Sequence, residues 1–362
     1  SEIYIITVGT PLDERGLPSL KMVKRAAREV SSVLKSDDLV ILRSTVKLGT
    51  TKKVVMPILK KSKCSFKLAF CPERTIEGNA LEELSSLPQI CSGIDKDSAS
   101  EAANFFSKIS SSFIKVSSLE TAEMIKLLDN SYRDLMFAFG NEVALMCESS
   151  SLDAKEIIDL GKLGYERTNI ASSGLVGGPC LSKDPHILNH SLKEFNFGPS
   201  LIKRGREINE KVPEFALKQI CNYFKDLKTP KKIVICGLAF KGRPETDDLR
   251  GTPSEIVLEE VKKVFPKSKV FLQDFAASKK DLESKFNLPV LNINDAFSNT
   301  DLLIIANNNR KYLALDLINL MPKMSEKGLI YDFWSLLNPA DFVNQKINYS
   351  SFGSTSFFID EL

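Results

Sequence analysis

The chain has 362 residues, of which 43% are hydrophobic and 26% are charged, and its net charge is +3. This composition is typical of a globular protein with two or three domains, and so small a charge argues against nucleic acid or an anionic membrane as a partner. The seven cysteines are scattered without CxxC pairs, which argues against a disulfide framework and a metal site, and no signal-peptide pattern or membrane-spanning run occurs, so we expect a cytoplasmic protein.

Residues 1–117, the first predicted domain, alternate short apolar strands with a helix. The strands are predicted at residues 3–8, 38–42 and 67–70, and the helix at residues 19–34. Such alternation favours a parallel β-sheet. A polar turn follows each strand, and ligands of parallel sheets bind beyond the carboxyl ends of the strands. We therefore expect a ligand at these turns, which are residues 9–11, 44–46 and 71–74.

Residues 118–228, the second predicted domain, have the pattern of helices without strands. From Ser118 to Ser149 no proline interrupts the chain and apolar residues recur at helical spacing, which predicts one long helix. Lys126 and Asn130 are four residues apart and therefore share one face of it. The pattern alone favours two solvated side chains at these positions.

A glycine-rich turn in the same domain places a cysteine next to charged groups. In residues 177–184 (GGPCLSKD), Cys180 is followed by Lys183 and Asp184. A thiol acts as a nucleophile only as the thiolate, which a neighbouring ammonium group favours. If Asp184 begins a helix, Pro185 stands at its first position, where a missing N–H costs little. This segment alone supports a buried cysteine beside a helix start equally well.

Residues 229–362, the third predicted domain, return to the α/β pattern. Its strands are predicted at residues 232–236, 270–272, 302–305 and 328–332. Thr252 and Pro253 predict a helix start, with Thr252 as N-cap and Pro253 at the first helical position. The preceding loop, residues 241–250, suits a phosphate group, or is an ordinary charged surface. The predicted fold class is α/β, with two Rossmann-like parallel-sheet domains joined by a central long helix in a helical domain.

Several motifs occur in a fixed order along the chain. They are residues 8–11 (VGTP), 44–50 (STVKLGT), 71–78 (CPERTIEG), Lys126 with Asn130, 177–184 (GGPCLSKD) and 237–250 (GLAFKGRPETDDLR). Together they resemble the UDP-sugar 6-dehydrogenases, the family of UDP-glucose dehydrogenase and UDP-N-acetylmannosamine dehydrogenase. The resemblance runs from about residue 3 to about residue 340. The CPERTIEG segment is more similar to the acetamido-sugar branch, since the UDP-glucose branch would read NPEFLxEG there.

The resemblance implies a four-electron, NAD-dependent oxidation that converts the C6 alcohol of a UDP-N-acetylhexosamine to the uronate. The expected substrate is UDP-ManNAc, and the alternative is UDP-glucose. Cys180 matches the nucleophile that captures the C6 aldehyde as a thiohemiacetal, which is then oxidised to a thioester. Lys126 and Asn130 match the pair at the C6 oxygen, where they stabilise oxyanion charge. Asp184 matches a carboxylate that orders water with the lysine. Glu73 matches a base or water-positioning group in thioester hydrolysis.

The same resemblance implies binding residues and an assembly. Central helices join the subunits of the family, so we expect a homodimer or a higher homo-oligomer. One arginine of the family reaches the substrate of the neighbouring subunit, and its match here stands at a shorter spacing from Cys180. The matching residues are Thr10, Thr45, Lys183 and Arg250 for NAD, and Gly177, Lys241 and Arg167, the inter-subunit arginine, for the UDP-sugar.

The sequence departs from the family by an absence. The NAD domain of the family begins with a strand, a GxGxxG turn, a helix and an acidic residue for the ribose, and no such segment occurs here. That half-domain takes roughly 60–90 residues, so the first domain is expected to be incomplete at its N-terminus. Three explanations stay open. The first is that the chain is a fragment of a longer protein, which the intact catalytic set favours. The second is that it is a degenerate, non-catalytic UDP-sugar-binding protein. The third is that it takes the missing half of the NAD domain from another polypeptide.

Overall fold

The computed structural model describes residues 2–343 and 345–354. The chain divides into two compact units, each with its own sheet. Unit 1 contains the residues up to Arg133 together with Lys183–Lys203, and unit 2 contains Asp134–Ser182 together with the residues from Arg204 onward. The three predicted domains with boundaries at residues 117 and 228 stay a prediction, and residues 344 and 355–362 of the third lie outside the described part.

The described residues form ten strands and thirteen α-helices. The strands are β1 Ile3–Ile6, β2 Asp38–Leu42, β3 Phe66–Phe70, β4 Gln89–Gly93, β5 Phe113–Lys115, β6 Lys232–Cys236, β7 Lys269–Gln273, β8 Leu302–Ile305, β9 Leu329–Asp332 and β10 Asn348–Ser351. The helices are α1 Lys21–Val33, α2 Met56–Leu59, α3 Ala80–Ser86, α4 Lys96–Phe106, α5 Leu119–Ser149, α6 Ala154–Gly161, α7 Gly178–Leu181, α8 Asp184–Lys193, α9 Ser200–Phe224, α10 Ser254–Val264, α11 Lys279–Phe286, α12 Ile293–Phe297 and α13 Leu317–Leu320.

The sheet of unit 1 has the order β1-β2-β3-β4-β5. The predicted strands β1, β2 and β3 are confirmed and pair in parallel. The expectation of a purely parallel sheet is wrong at β4, which pairs antiparallel with β3. Strand β2 is apolar and buried along its whole length, because α1 covers one face of the sheet through Val23 and Ala27 and α4 contributes to a second apolar cluster.

The sheet of unit 2 has the order β10-β9-β8-β6-β7, with all strands parallel. The chain runs outward from β6 in both directions, to β7 on one side and to β8 on the other. Such a switch point opens a crevice at the carboxyl ends of the strands, where α/β sheets bind ligands. The four predicted strands are confirmed, and β10 is an additional strand from a segment without a readable pattern.

Helix α5 confirms the long helix predicted from residue 118 to residue 149. The expectation that Lys126 and Asn130 are solvated is wrong, since they are only 8% and 5% exposed. Both belong to a stripe of buried polar side chains that recur at helical spacing. The stripe consists of Glu123, Lys126, Asn130, Asp134 and Asn141. Among the described residues, no helix is both long and apolar enough to cross a membrane.

Two helix starts lie within a residue or so of their predicted positions. Helix α8 begins at Asp184, so Pro185 is its second residue rather than its first. Helix α10 begins at Ser254, which makes Pro253 the N-cap residue instead of Thr252. The Thr252 hydroxyl oxygen still accepts a hydrogen bond from the amide of Ser254, the first residue of α10, at 3.3 Å. The threonine therefore caps the helix from one position before the N-cap residue.

Candidate functional site

Two of the predicted cofactor residues meet at the carboxyl ends of β1 and β2. These strands are parallel neighbours, so the turns that follow them lie side by side. The Thr10 hydroxyl donates to the Thr45 backbone oxygen at 2.5 Å, and the Ser44 hydroxyl donates to the Val8 backbone oxygen at 2.6 Å. Thr10 is buried and Thr45 is half-buried. Together they form a fixed polar edge at the ligand-binding end of the sheet of unit 1.

A buried carboxylate holds the loop that follows Thr45. Glu123 of α5 accepts hydrogen bonds from the backbone amides of Gly49 at 2.5 Å and Thr51 at 2.8 Å, and from the Thr51 hydroxyl at 2.6 Å. Burial raises the pKa of Glu123 to about 7, although these hydrogen bonds act in the opposite direction. The sequence reasoning missed Glu123, and its position three residues before Lys126 was the available signal.

Glu73, predicted to act in thioester hydrolysis, is held by a buried arginine. Arg43 Nη2 forms an ion pair with Glu73 Oε2, while Arg43 Nη1 donates to Gln89 Oε1 at 3.2 Å. Glu73 Oε1 accepts from the backbone amides of Arg74 and Thr75 at 2.8 and 2.9 Å. Burial acts to raise the pKa of Glu73, but the charge and hydrogen bonds of Arg43 and Thr75 outweigh it and lower the pKa. Glu73 is therefore an ionised carboxylate at neutral pH.

Asp184 connects α8 with α5 within unit 1. It is fully buried, and both carboxylate oxygens have partners. Asn130 Nδ2 donates to Asp184 Oδ2 at 2.5 Å, and Lys183 Nζ donates to Asp184 Oδ1 at 2.6 Å. The structure thus brings three predicted residues into one cluster. For Lys183 it shows an ion pair with Asp184, so the predicted contact of this lysine with NAD stays a prediction.

Lys126 is a buried cation one helical turn from Asn130. Its side chain lies on the same face of α5, and the residue is 8% exposed. In the part of the chain that the structure describes, no hydrogen bond or ion pair involves its ammonium group. A lysine this little exposed is rare in proteins unless its charge is paired. The position therefore favours a ligand that brings an anionic or electron-rich oxygen.

In unit 2, Cys180 lies in the one-turn helix α7, within the segment that the sequence singles out, and it is exposed. The alternative of a buried cysteine is therefore wrong. The turn needs its glycines: Gly178 has a φ of +92°, and a Cβ there would lie 2.4 Å from the ring of Phe240. A Cβ on Gly177 would lie 2.7 Å from the backbone oxygen of Gly251. The Gly178 amide donates to that same oxygen at 2.7 Å, so the turn packs directly on the loop before α10.

Three predicted cations of unit 2 have contacts within their own segments. Lys241 Nζ lies 5.3 Å from the ring centroid of Phe240. Arg250 pairs with Asp248, with Nη2 to Oδ2 at 2.6 Å and Nε to Oδ2 at 2.8 Å. The guanidinium of Arg167 stacks at 4.8 Å from the ring centroid of Tyr165. Both arginines are exposed, and the binding roles of all three cations stay predictions.

A cavity of about 470 Å³ opens at the carboxyl ends of β8 and β9 in unit 2. Its size fits a small-molecule ligand, and its wall combines cations, amides and an indole ring. The sequence reasoning missed it, although it contains the single tryptophan of the chain. The wall consists of Phe137, Lys155, Ile158, Asp159, Ala171, Ser172, Ser173, Arg243, Asn308, Leu313, Trp334, Ser335 and Leu336. No cluster of His, Cys, Asp and Glu able to hold a metal ion occurs among the described residues.

Three domain models of one family match the chain. They are the NAD binding domain of the UDP-glucose/GDP-mannose dehydrogenase family at residues 1–110, its central domain at residues 120–211 and its UDP binding domain at residues 234–339. Strands β7, β8 and β9 lie in the part that matches the UDP binding domain, and the wall of the cavity combines residues of this part with residues of the central-domain match. Lys126, Asn130, Cys180 and Asp184 lie in the part that matches the central domain.

The relatives of the chain include proteins named UDP-N-acetyl-D-mannosamine dehydrogenase. The UDP-N-acetyl-D-mannosamine dehydrogenase of Campylobacter jejuni is 30% identical over 327 residues, which are 86% of this chain and 79% of the relative. That of Pyrococcus horikoshii is 35% identical over 280 residues, which are 73% of this chain and 64% of the relative. The solved structure of the P. horikoshii UDP-D-ManNAc dehydrogenase matches with a TM-score of 0.83 at 28% identity, covering 98% of this chain and 81% of that one. The predicted fold class is confirmed.

Proposed function

Since the chain belongs to the UDP-glucose/GDP-mannose dehydrogenase family, we propose that it uses NAD to oxidise the C6 alcohol of a UDP-N-acetylhexosamine to the carboxylate. The proposed substrate is UDP-N-acetylmannosamine. The observation that carries this proposal is Lys126, a residue only 8% exposed, whose ammonium group has no partner among the described residues and which shares a helix face with Asn130. The names of both relatives support the acetamido sugar.

NAD, when bound, accepts the hydride in each of the two oxidations. The residues present fit such a cofactor, because Thr10 and Thr45 give a fixed polar edge at the carboxyl ends of two parallel strands. This edge lies in the part of the chain that matches the NAD binding domain of the family. We assign NAD contacts to Thr10, Thr45, Lys183 and Arg250, the last two on the resemblance alone.

Cys180, Lys126 and Asn130 carry the covalent step of the proposed reaction. After the first oxidation, Cys180 Sγ bonds to the C6 carbon of the aldehyde, and the carbonyl electron pair moves to the C6 oxygen. Lys126 and Asn130 donate to this oxygen and stabilise its charge. Loss of the second hydride from C6 turns the thiohemiacetal into a thioester. Asp184 accepts from Asn130 Nδ2, which fixes the orientation of the amide.

Hydrolysis of the thioester needs a water molecule that attacks C6 while the C6–Sγ bond breaks. We assign Glu73 to this water. Its lowered pKa makes it a weak base but a stable anion, so its role is to position the water and to stabilise positive charge that develops on it. Asp184 orders water beside Lys126. The released products are the uronate and the Cys180 thiol.

The cavity of unit 2 is our candidate for the uridine diphosphate group. Arg243 supplies positive charge for the diphosphate, and Trp334 offers a ring face for the base. Lys155 is paired with Asp159 of the same wall at 2.5 Å. The cavity lies at a sheet edge that matches the UDP binding domain of the family. Gly177 and Lys241, predicted to hold the sugar or the diphosphate, belong to the same unit.

Removal of the Cys180 thiol tests the proposed function. We expect the protein to reduce two equivalents of NAD per UDP-N-acetylmannosamine and to be slower with UDP-glucose. Cys180→Ala should lower turnover by at least about 1,000-fold, because the covalent route is lost. Cys221→Ala, at a half-buried cysteine of α9, is the matched control and should keep full activity. Full activity of Cys180→Ala, or no turnover by the wild type on any UDP-sugar, refutes the proposal. Binding of UDP-sugar without turnover identifies a binding protein instead.

We further propose that the protein is a homo-oligomer assembled through α5. This helix exposes a row of large apolar side chains, and such a face is typical of a subunit contact. The row consists of Leu128, Tyr132, Phe139 and Met146. Arg167 would then be available to a neighbouring subunit. We expect a dimer or larger species in sedimentation, converted to monomer by Phe139→Glu, whereas Leu163→Glu at an exposed leucine outside α5 leaves it unchanged. A monomeric wild type refutes this assembly.

A further inference from the structure

Arg206 of α9 contacts both sides of the nucleophile turn, which we define as residues 177–182. Its Nη2 donates to the backbone oxygen of Val176 at 3.1 Å, and its Nη1 donates to the backbone oxygen of Leu181 at 3.0 Å. The arginine side chain is only 4% exposed. One planar group therefore fixes the backbone before and within the turn, and Cys180 lies between the two contacts.

The buried carboxylate of Asp134 holds the Arg206 side chain in place. Asp134 Oδ1 accepts from Arg206 Nη1 at 2.7 Å, and the aspartate side chain is 1% exposed. Asn209 Nδ2 donates to both the backbone oxygen and Oδ1 of Asp134 at 2.9 Å. Glu210 Oε1 lies 3.3 Å from Arg206 Nε. Buried charges persist only when paired and hydrogen-bonded, so the Asp134 carboxylate, itself held by Asn209, limits the guanidinium to one orientation.

The same polar network reaches the segment before the turn. Asn141 Nδ2 donates to Asn209 Oδ1 at 2.8 Å, and Asn141 Oδ1 accepts from the Gly174 amide at 2.8 Å. The side chains of Asn141 and Asn209 are both buried. Helices α5 and α9 thus hold the chain at Gly174 as well as at the two carbonyl groups that Arg206 binds. An ordinary packing contact does not require so many hydrogen bonds between buried polar groups.

We propose that Arg206 is a positioning residue for Cys180. By binding the carbonyl oxygens on both sides of the cysteine, it sets the direction from which Sγ approaches the C6 carbon. This inference rests on the proposed function, in which Cys180 is the nucleophile. Arg206 acts through the backbone of the turn and not by contact with the substrate. Placement of this kind matters because a shift of about 1 Å between reacting groups costs roughly 100-fold in rate.

Arg206→Lys is the deciding variant. A lysine keeps the positive charge opposite Asp134, but its single ammonium group cannot bridge two carbonyl oxygens as the planar guanidinium does. We expect kcat with UDP-N-acetylmannosamine to fall roughly 10- to 100-fold while KM changes by less than about twofold. We also expect faster hydrogen–deuterium exchange in residues 177–182, with unchanged exchange in the strands of unit 2.

Glu210→Gln is the matched control, because it removes the ion pair with Arg206 Nε and leaves both carbonyl contacts in place. It should change neither readout. The proposal is overturned if folded Arg206→Lys shows the same hydrogen–deuterium exchange in residues 177–182 as the wild type, or the same kcat. If that variant does not fold, the isosteric Asp134→Asn decides by the same two readouts. A wild-type protein that oxidises no UDP-sugar refutes the proposed function instead, and exchange in the turn still decides whether Arg206 holds it.

Discussion

Two carboxylates of this protein, the half-buried Glu73 and the buried Glu123, have pKa values shifted in opposite directions because their neighbours differ. Glu73 faces the Arg43 guanidinium and two backbone amides, which lower its pKa. Glu123 also accepts three hydrogen bonds, but among the described residues none of its hydrogen-bond donors is a cation, and burial raises its pKa to about 7. The balance between desolvation and a nearby positive charge therefore decides which carboxylate stays ionised.

The raised pKa of Glu123 makes the free energy of unfolding depend on pH. The folded state holds the proton more tightly than the unfolded state, whose carboxyl titrates near 4.5. Glu123 therefore lowers the free energy of unfolding as the pH rises from about 4.5 to above 7, by about 3 kcal/mol for this shift. We expect Glu123→Gln to lose this decline. Urea unfolding of both proteins at about pH 5 and about pH 8 measures the difference.

The comparison between the two proteins isolates one carboxyl group. Glu148 also has a pKa that burial raises to about 7, and it contributes the same slope to the wild type and to the variant. The difference in unfolding free energy between the two proteins is then due to Glu123. Parallel pH dependences of the wild type and Glu123→Gln would contradict the buried, proton-binding state of this residue.

At the scale of single elements, apolar patterns predict most of the fold but not its buried polar groups. The unbroken periodicity of α5 predicts that helix to within a residue. It does not predict that Asn130 is buried, because its partner Asp184 lies 54 residues away in the sequence. Arg206 and Asp134 were missed for the same reason, since they are 72 residues apart. A motif identifies the residues that do chemistry, whereas long-range contacts identify the residues that hold them.

Short polar strands are the other limit of the sequence reasoning. Strands β4 (QICSG) and β10 (NYSS) contain serine, glycine or asparagine and show no clear alternation. They form because a neighbouring strand offers a ladder of hydrogen bonds, as β9 does for β10. The position of β4 also depends on its antiparallel pairing with β3, which no local pattern reports. Such strands are determined by their pairing within the sheet rather than by a pattern in their own sequence.

For the whole molecule, the single tryptophan makes ligand binding measurable. Trp334 lines the cavity proposed for uridine diphosphate, so we expect UDP to change the intrinsic fluorescence of the protein in a saturable titration. Arg243→Ala should weaken this binding by about tenfold or more, because a charged hydrogen bond to phosphate is lost. Lys280→Ala, at an exposed cation of the same unit that does not line the cavity, should leave the affinity unchanged. A titration without a fluorescence change would remove the cavity from consideration as the UDP site.

The exposure of Cys180 has a practical consequence for chemical biology. The other cysteines are buried or half-buried, so an electrophilic reagent meets one accessible sulfur first. That sulfur stands on a backbone whose amide and carbonyl groups are already bound by Gly251 and Arg206. A covalent fragment attached there would be displayed in a defined orientation rather than on a mobile loop. The protein thus offers a single anchoring point for tethered ligand discovery.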